Sequence, residues 1–119
     1  ISFKYRFSSM PKTFALALDL KDDPALIAEY ERHHRQIPEA IRKSLVDAGI
    51  LSMEIYRWQN RLFMVMVTTD DFSLEGKMES DKSNPDVQAW EKLMWTFQQP
   101  LPGAKPGEKW QLMTKAFEL

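Results

Sequence analysis

The sequence predicts one α+β domain with the element order strand, helix, strand, strand, helix, strand. Three observations predict it: two strand-like runs joined at Gln59-Asn60, a helical repeat of apolar residues after Pro24, and a second such repeat after Pro85. This order is typical of a ferredoxin-like βαββαβ fold, in which a four-stranded antiparallel sheet carries both helices on one face.

Composition narrows the class of protein. The chain has 119 residues, of which 44% are apolar and 28% charged, as in one soluble globular domain. A net charge of -1 without a dense Lys/Arg run predicts no nucleic-acid partner, and no apolar run approaches the roughly 20 residues of a membrane span. The chain has no cysteine, which excludes disulfides and thiolate metal sites and fits a reducing compartment. We therefore expect a cytoplasmic protein.

The start of the chain differs from the rest. Residues 1–11 are basic but lack the continuous apolar stretch of a signal peptide. We interpret them as a leader or N-terminal extension, and residues 12–119 as a single domain.

The first half of the domain contains a strand and a long helix. Residues 13–20 form a short apolar run, and Asp23 is a typical N-cap for a helix over residues 24–48. Gly49 is a typical residue to end that helix. Pro38 has no amide hydrogen and clashes with the preceding turn, so the helix should kink or break there.

The middle of the domain is a hairpin. Residues 50–58 and 61–68 are two strands, with Asn60 expected in the left-handed turn between them. Residues 70–83 begin with capping residues and form a short helix or a loop. The turn chemistry makes the hairpin the most clearly marked element of the sequence.

The remaining elements follow from capping residues and breakers. Asn84 begins a helix over residues 84–99, because Pro85 and Asp86 come directly after it. Several prolines and glycines make residues 98–109 an extended loop. Residues 110–117 are the last strand.

The strands carry apolar residues on both faces. Alternate residues of a strand point to opposite faces of the sheet, and both sets are apolar in the third strand: Leu62, Met64 and Met66 against Phe63, Val65 and Val67. Helices cover one face only. The other face needs a partner sheet or a ligand pocket, and we expect a homodimer in which the sheet of a second copy covers it.

Tyr30 and His34 are the first candidate site residues. They lie four apart on the apolar stripe of the first helix, so their side chains should stack against the rest of the fold. His34 can give and take protons near neutral pH, and Tyr30 can orient it or bind a substrate hydroxyl. The alternatives are a core histidine that donates to a backbone carbonyl and a tyrosine that only packs. Glu31 lies three residues from His34, but no third ligand is evident, so we predict no metal.

A second candidate cluster lies on the last helix. Asp86 and Trp90 share one helical face, and Glu91 follows directly. An indole ring beside a carboxylate is a typical way to hold a sugar, because the ring contacts C–H groups and the carboxylate accepts from hydroxyls. The alternative is a core tryptophan with exposed helix charges.

The ordered motifs of the chain resemble the L-rhamnose mutarotase family over residues 12–119. Tyr30 and His34 form the Tyr-x-x-x-His motif of that family. The other matching segments, in order along the chain, are Ile37, Pro38-Glu39, Gly49, Ile55-Tyr56, Asn60-Arg61-Leu62-Phe63, and Asn84-Pro85-Asp86-Val87-Gln88-Ala89-Trp90 with Lys92 and Met94.

The resemblance implies a dimeric ferredoxin-like α/β barrel. It also implies an isomerase, an aldose 1-epimerase that opens and recloses the sugar ring by acid/base chemistry without metal or cofactor. By this resemblance His34 is the catalytic histidine, Tyr30 binds the sugar, and Trp90 is the first residue of a tryptophan pair.

Two substrate-binding positions depart from the family pattern. Glu91 stands where the second tryptophan is expected, and Met53 where a second substrate-contacting tyrosine is expected. Residues 94–100 and 107–110 look more like the L-fucose mutarotase branch. We therefore expect a 6-deoxyhexose substrate, L-fucose before L-rhamnose.

Two other functions use a similar architecture. Monooxygenases with dimeric α/β barrels also have pockets lined by Trp and His, and haem binding or oxygen uptake would favour that function. The other alternative is a non-enzymatic dimer module that binds a small ligand. A fully buried His34 without an adjoining cavity would favour the module.

Overall fold

The computed structural model describes residues 10–119, so the predicted leader or extension over residues 1–11 lies almost wholly outside the described residues. The described part contains the following helices and strands: β1 (Lys12–Leu20), α1 (Pro24–Arg35), α2 (Glu39–Asp47), β2 (Ile50–Trp58), β3 (Arg61–Thr68), α3 (Leu74–Lys82), α4 (Pro85–Trp95), β4 (Gln98–Gln99) and β5 (Gln111–Leu112).

The strands form one antiparallel sheet in the order β2-β3-β1-β4. This is the strand order of a ferredoxin-like fold and confirms the predicted fold class. β1 is central, because it pairs with β3 along nearly its whole length and with β4 and β5 on its other edge.

The fourth strand differs from the prediction. Two short segments share its place beside β1: β4 pairs with Asp19 and Leu20, and β5 pairs with Leu16 and Ala17, so the sheet has five strands. β4 was predicted as the start of a loop, and the strand predicted over residues 110–117 is shortened to β5. Pro100 ends β4 because it has no amide hydrogen for the ladder.

The helix ends follow the predicted signals. The side chain of Asp23 accepts hydrogen bonds at the start of α1 from the amides of Ala25 and Leu26, and that of Asn84 does the same at the start of α4. The predicted break lies between α1 and α2, at residues 36–38. Gly49, with a φ of 97°, ends α2 as expected. None of the helices between residues 10 and 119 is long and apolar enough to cross a membrane.

The hairpin turn has a different left-handed residue from the one predicted. Gln59, with a φ of 51°, adopts the left-handed conformation instead of Asn60. Asn60 is held to the end of β1: its carbonyl accepts from the Leu20 amide at 2.6 Å, and its side-chain amide donates to the Leu20 carbonyl at 3.0 Å. These bonds hold Asn60 against the end of β1, and Gln59 is the residue that adopts the left-handed conformation.

The helices cover one face of the sheet, as predicted. That face carries Leu16, Leu18 and Leu20 of β1, all buried. Its side chains form two core clusters with residues of the helices and loops. The first contains Leu20, Tyr30, Leu62, Met94 and Phe97, and the second contains Leu16, Ile50, Met66 and Phe72. Trp110 packs against both clusters.

The opposite face of the sheet is only partly covered: Ala17 and Asp19 of β1 point to it and are buried, whereas its residues on β2 and β3 are more exposed. Phe63, Val65 and Val67 of β3 lie there and are only half-buried. Tyr56 and Trp58 of β2 share this face and are 56% and 67% exposed. The predicted second apolar face is therefore present, and it is open along β2 and β3.

The tight packing on the helix-covered face predicts that a cavity there lowers the free energy of unfolding substantially. Leu18→Ala should lower the free energy of unfolding by about 2–5 kcal/mol, because Leu18 is fully buried and its neighbours cannot collapse fully into the space. Urea denaturation measures the change. Leu51→Ala is the control, since Leu51 is 47% exposed and should lose less than about 1 kcal/mol. Equal losses for the two variants would contradict this description of the core.

Candidate active site

A cleft of about 360 Å³ lies between α1 and the helix-covered face of the sheet. The α1 wall consists of Tyr30, Glu31, His34 and Arg35, and the sheet wall consists of Ile55, Arg57 and Leu62. His34 is in the last turn of α1, just before the break at residues 36–38. The interrupted helix thus leaves this histidine at the edge of the core.

The geometry of His34 selects one tautomer. Its Nδ1 lies 2.9 Å from the carbonyl oxygen of Tyr30. A carbonyl can only accept, so Nδ1 carries the hydrogen and donates. In the neutral ring, Nε2 then has a free lone pair and can take a proton.

The surroundings of His34 keep its ring neutral. Burial lowers the pKa of His34 below its usual value of 6.5 and nearby His33 adds to this, while the hydrogen bond to the Tyr30 carbonyl acts in the opposite direction. The net result is a lowered pKa. At neutral pH the imidazole is a base that is ready to accept a proton.

Tyr30 supports His34 with its ring as well as its backbone. The two ring centroids are 4.2 Å apart, which confirms the stacking predicted from the spacing. Tyr30 is buried, and burial raises the pKa of its phenol far above the usual value, although a hydrogen bond with the Gln98 side chain opposes this effect. The phenol therefore stays protonated at neutral pH.

Trp90 approaches His34 from the other side. It lies on α4, and its ring meets the imidazole edge-on with the centroids 5.4 Å apart. The structure thus brings together Tyr30, His34 and Trp90, three of the predicted site residues. Trp90 also packs on the first core cluster, so its ring is held in place.

The other predicted site residues lie farther from this group. Glu91 forms an ion pair with Lys109 at 3.8 Å. Met53 packs on the second core cluster, while its neighbour on the same strand face, Ile55, lines the cleft. Asp86 is exposed in the first turn of α4. None of Glu91, Met53 and Asp86 lines the cleft.

Sequence reasoning missed two polar residues of the site, Arg57 and Gln98. Arg57 lies on the helix-facing side of β2 and pairs with Glu31 across the cleft at 2.6 Å. Gln98, which is buried, hydrogen-bonds Tyr30. An arginine in phase with the apolar residues Met53 and Ile55 is unusual enough to have marked Arg57. Gln98 carried no such signal, because it lay in a predicted loop.

Metal-binding groups are a separate question. Within residues 10–119, no three His, Asp or Glu side chains come together in a group that could hold a metal ion. Glu31, considered above as a partner of His34 at a metal, instead binds Arg57.

Two relatives match most of the chain. An L-fucose mutarotase of Xanthomonas campestris is 49% identical over 105 residues, which are 86% of this chain and 83% of the relative. A UPF0734 protein of Dictyostelium discoideum is 32% identical over 114 residues, which are 91% of this chain and 90% of that protein.

Two solved structures share the fold. An L-rhamnose mutarotase from Formosa agariphila superimposes with a TM-score of 0.67 at 19% identity, covering 91% of this chain and 98% of the other. The tetracenomycin F2 cyclase of Streptomyces glaucescens, a polyketide cyclase, superimposes with a TM-score of 0.57 at 14% identity and the same coverage. At these identities the likeness concerns the fold alone, and it agrees with the ferredoxin-like architecture.

The family follows from the sequence match. The family described as L-rhamnose mutarotase matches residues 13–119, which is nearly the whole domain. This match confirms the resemblance carried by Tyr30, His34 and the segments that follow them. The chain belongs to the L-rhamnose mutarotase family.

Proposed function

We propose that this protein is an aldose 1-epimerase that interconverts the α and β anomers of a 6-deoxyhexose, with L-fucose preferred over L-rhamnose. The observation that carries the proposal is the orientation of His34 in the cleft: its Nδ1 donates to the Tyr30 carbonyl, so Nε2 is the group left to exchange protons. The family and the bacterial relative agree with the predicted class, an isomerase acting on a sugar.

Ring opening requires that the anomeric hydroxyl loses a proton and that the ring oxygen O5 gains one. Nε2 of His34 takes the proton of the anomeric hydroxyl, the C1–O5 bond breaks, and its electron pair goes to O5. O5 then receives a proton from the imidazolium. Both oxygens are bonded to C1, so a single Nε2 can serve both. Rotation about the C1–C2 bond and the reverse steps close the ring as the other anomer.

Tyr30 acts through His34. Its carbonyl fixes the tautomer, and its ring fixes the plane of the imidazole. Its raised pKa removes it as a proton acceptor at neutral pH. Tyr30 is thus a positioning residue, and its phenol is engaged with Gln98.

The apolar surfaces of the site suit a 6-deoxy sugar. Ile55 and Leu62 line the sheet wall, and Trp90 lies beside His34. These side chains offer contacts for the methyl group and the C–H face of the ring. The preference for L-fucose rests on the relative from Xanthomonas campestris, which is named an L-fucose mutarotase.

Neither alternative function is favoured. His34 is partly exposed and lines an open cleft, whereas a fully buried histidine without a cavity would have favoured the binding module. The family match points to sugar mutarotases instead of monooxygenases.

The open face of the sheet is where a second copy binds in this proposal. Phe63, Val65 and Val67, with Tyr56 and Trp58 beside them, form an apolar surface that a soluble monomer would expose to water. Packing two such faces together gives a dimeric barrel. The complete lack of cysteine fits work in the reducing cytoplasm.

The proposal predicts the effect of removing the imidazole. His34→Ala should reduce catalysed anomer exchange of L-fucose by about 10²- to 10⁴-fold, because general acid–base catalysis is lost. Saturation-transfer NMR between the two anomeric signals measures the rate, after subtraction of the spontaneous exchange. His33→Ala is the matched control: His33 lies beside Phe97 and outside the cleft lining, so its exchange should stay near that of the wild type. Unchanged exchange in His34→Ala would refute the assignment.

The lowered pKa of His34 predicts the pH profile. Burial disfavours the imidazolium and lowers the pKa of His34 below the usual histidine value of 6.5. The folded enzyme therefore keeps the ring neutral at pH values somewhat below 6.5. Plotted against pH, kcat/KM should therefore rise to a plateau with a midpoint below 6.5. Titration of the His34 imidazole signals by NMR should give the same midpoint. A midpoint above 6.5 in both experiments would contradict the base role of a neutral ring.

The open face predicts a dimer that one charge can break. The wild type should elute with the mass of two chains of 14.0 kDa each in size exclusion with light scattering. Val65→Asp should give monomers, since Val65 sits at the middle of the open face and a carboxylate there would be buried unpaired. Val46→Asp is the control because Val46 is exposed on α2, away from the sheet. A monomeric wild type would refute the dimer.

A further inference from the structure

Arg57 and Glu31 form a charged bridge across the mouth of the cleft. Nε of Arg57 donates to Oε2 of Glu31 at 2.6 Å, and Nη1 of Arg57 donates to the carbonyl of Gln59 at 2.7 Å. One partner belongs to α1 and the other to the hairpin turn. Arg57 is therefore held from both walls of the site, and its guanidinium has a defined orientation.

The bridge keeps unused hydrogen-bonding capacity. A guanidinium has five N–H groups, and two of those of Arg57 donate to the partners just named. Among residues 10–119, the other three have no acceptor, and Oε1 of Glu31 has no donor. Both side chains line the cleft, and they are 34% and 46% exposed, so a molecule in the cleft can reach them.

The position of the bridge relative to His34 matters for function. Glu31 precedes His34 by three residues on α1, so the two side chains are neighbours about one helical turn apart, roughly 5–6 Å between their Cβ atoms. That distance is close to the span between hydroxyl oxygens on opposite sides of a pyranose ring. A sugar with C1 at His34 would thus present its remote hydroxyls to Glu31 and Arg57.

We infer that Arg57 and Glu31 bind a pair of neighbouring hydroxyls of the sugar and so fix which carbon of the ring faces His34. The guanidinium donates to the two hydroxyl oxygens, and the free Oε1 accepts from one hydroxyl hydrogen. The apolar edge of the ring then lies against Ile55 and Leu62. This assignment rests on the proposed function for the identity of the ligand, and it names a polar binding wall that the family resemblance did not include.

An alternative interpretation is that the bridge is only a structural tie, here called a strap, between α1 and the sheet. The two interpretations predict different effects of a substitution on the free energy of unfolding and on sugar affinity. A strap affects the free energy of unfolding and leaves sugar affinity alone. A hydroxyl-binding pair affects affinity even when the fold is intact.

The test measures L-fucose binding directly as well as turnover. Chemical-shift titration of the protein with L-fucose gives Kd, and saturation-transfer NMR gives KM and kcat for anomer exchange. Arg57→Ala and Glu31→Ala should each raise Kd and KM by on the order of tenfold, because each removes a hydrogen bond between the sugar and a charged group. The value of kcat should stay within about threefold, since the proton-transfer group is untouched.

Two further variants separate charge from geometry and site from surface. Arg57→Lys keeps the positive charge but loses the planar fork, and it should recover only part of the affinity. Arg32→Ala is the matched control: Arg32 pairs with Glu29 at 2.7 Å on the same helix, but neither residue lines the cleft. Its Kd and KM should equal those of the wild type.

The outcomes distinguish this inference from the proposed function. Kd and KM of Arg57→Ala equal to those of the wild type would overturn the inference and leave the proposed function intact. Binding of L-fucose without catalysed exchange in the wild type would overturn the proposed function, and the Kd values of the variants would still decide the role of the bridge. A wild type that does not bind L-fucose would overturn both.

Discussion

The structure depends on the burial of its central strand. Even-numbered residues of β1, from Leu16 to Leu20, are large and apolar and face the helices, and β1 is paired with neighbours on both edges. Removing this apolar surface from water stabilises the fold at roughly 25 cal/mol per Å², and the helices must lie on this face to do it. The position of α1, and with it the position of every residue on the α1 wall of the cleft, follows from that requirement.

The candidate site lies at the edge of this packed core. Tyr30 belongs to the first core cluster, so its ring and its carbonyl are both fixed by packing. His34 is one turn further on, where the helix is about to end and the cleft is open. Buried Tyr30 thus orients half-buried His34, the residue that we propose as the proton-transfer group. The same burial that immobilises the imidazole also lowers its pKa, so positioning and basicity have one physical cause.

The cleft divides its work between two walls. In the proposed mechanism protons are exchanged on the α1 side and apolar contacts come from Ile55 and Leu62 on the sheet side, while Arg57 and Glu31 join the two walls. The cleft lies on the helix-covered face of the sheet and does not use the opposite face. The opposite face, open along β2 and β3, is where we propose that a second copy binds, away from the cleft.

Much of this was determined by the sequence alone, because the signals were local. The capping residues Asp23 and Asn84, the break at Pro38 and the i, i+4 pair of Tyr30 and His34 depend only on backbone geometry within a few residues. Contacts between distant segments were decided by the tertiary structure. The split fourth strand depends on the pairing of β1 with two separate later segments, Asn60 is hydrogen-bonded to Leu20, and the Arg57–Glu31 bridge joins residues 26 positions apart. Periodicity in a sequence shows which face a residue occupies, but only the packed chain shows what lies opposite it.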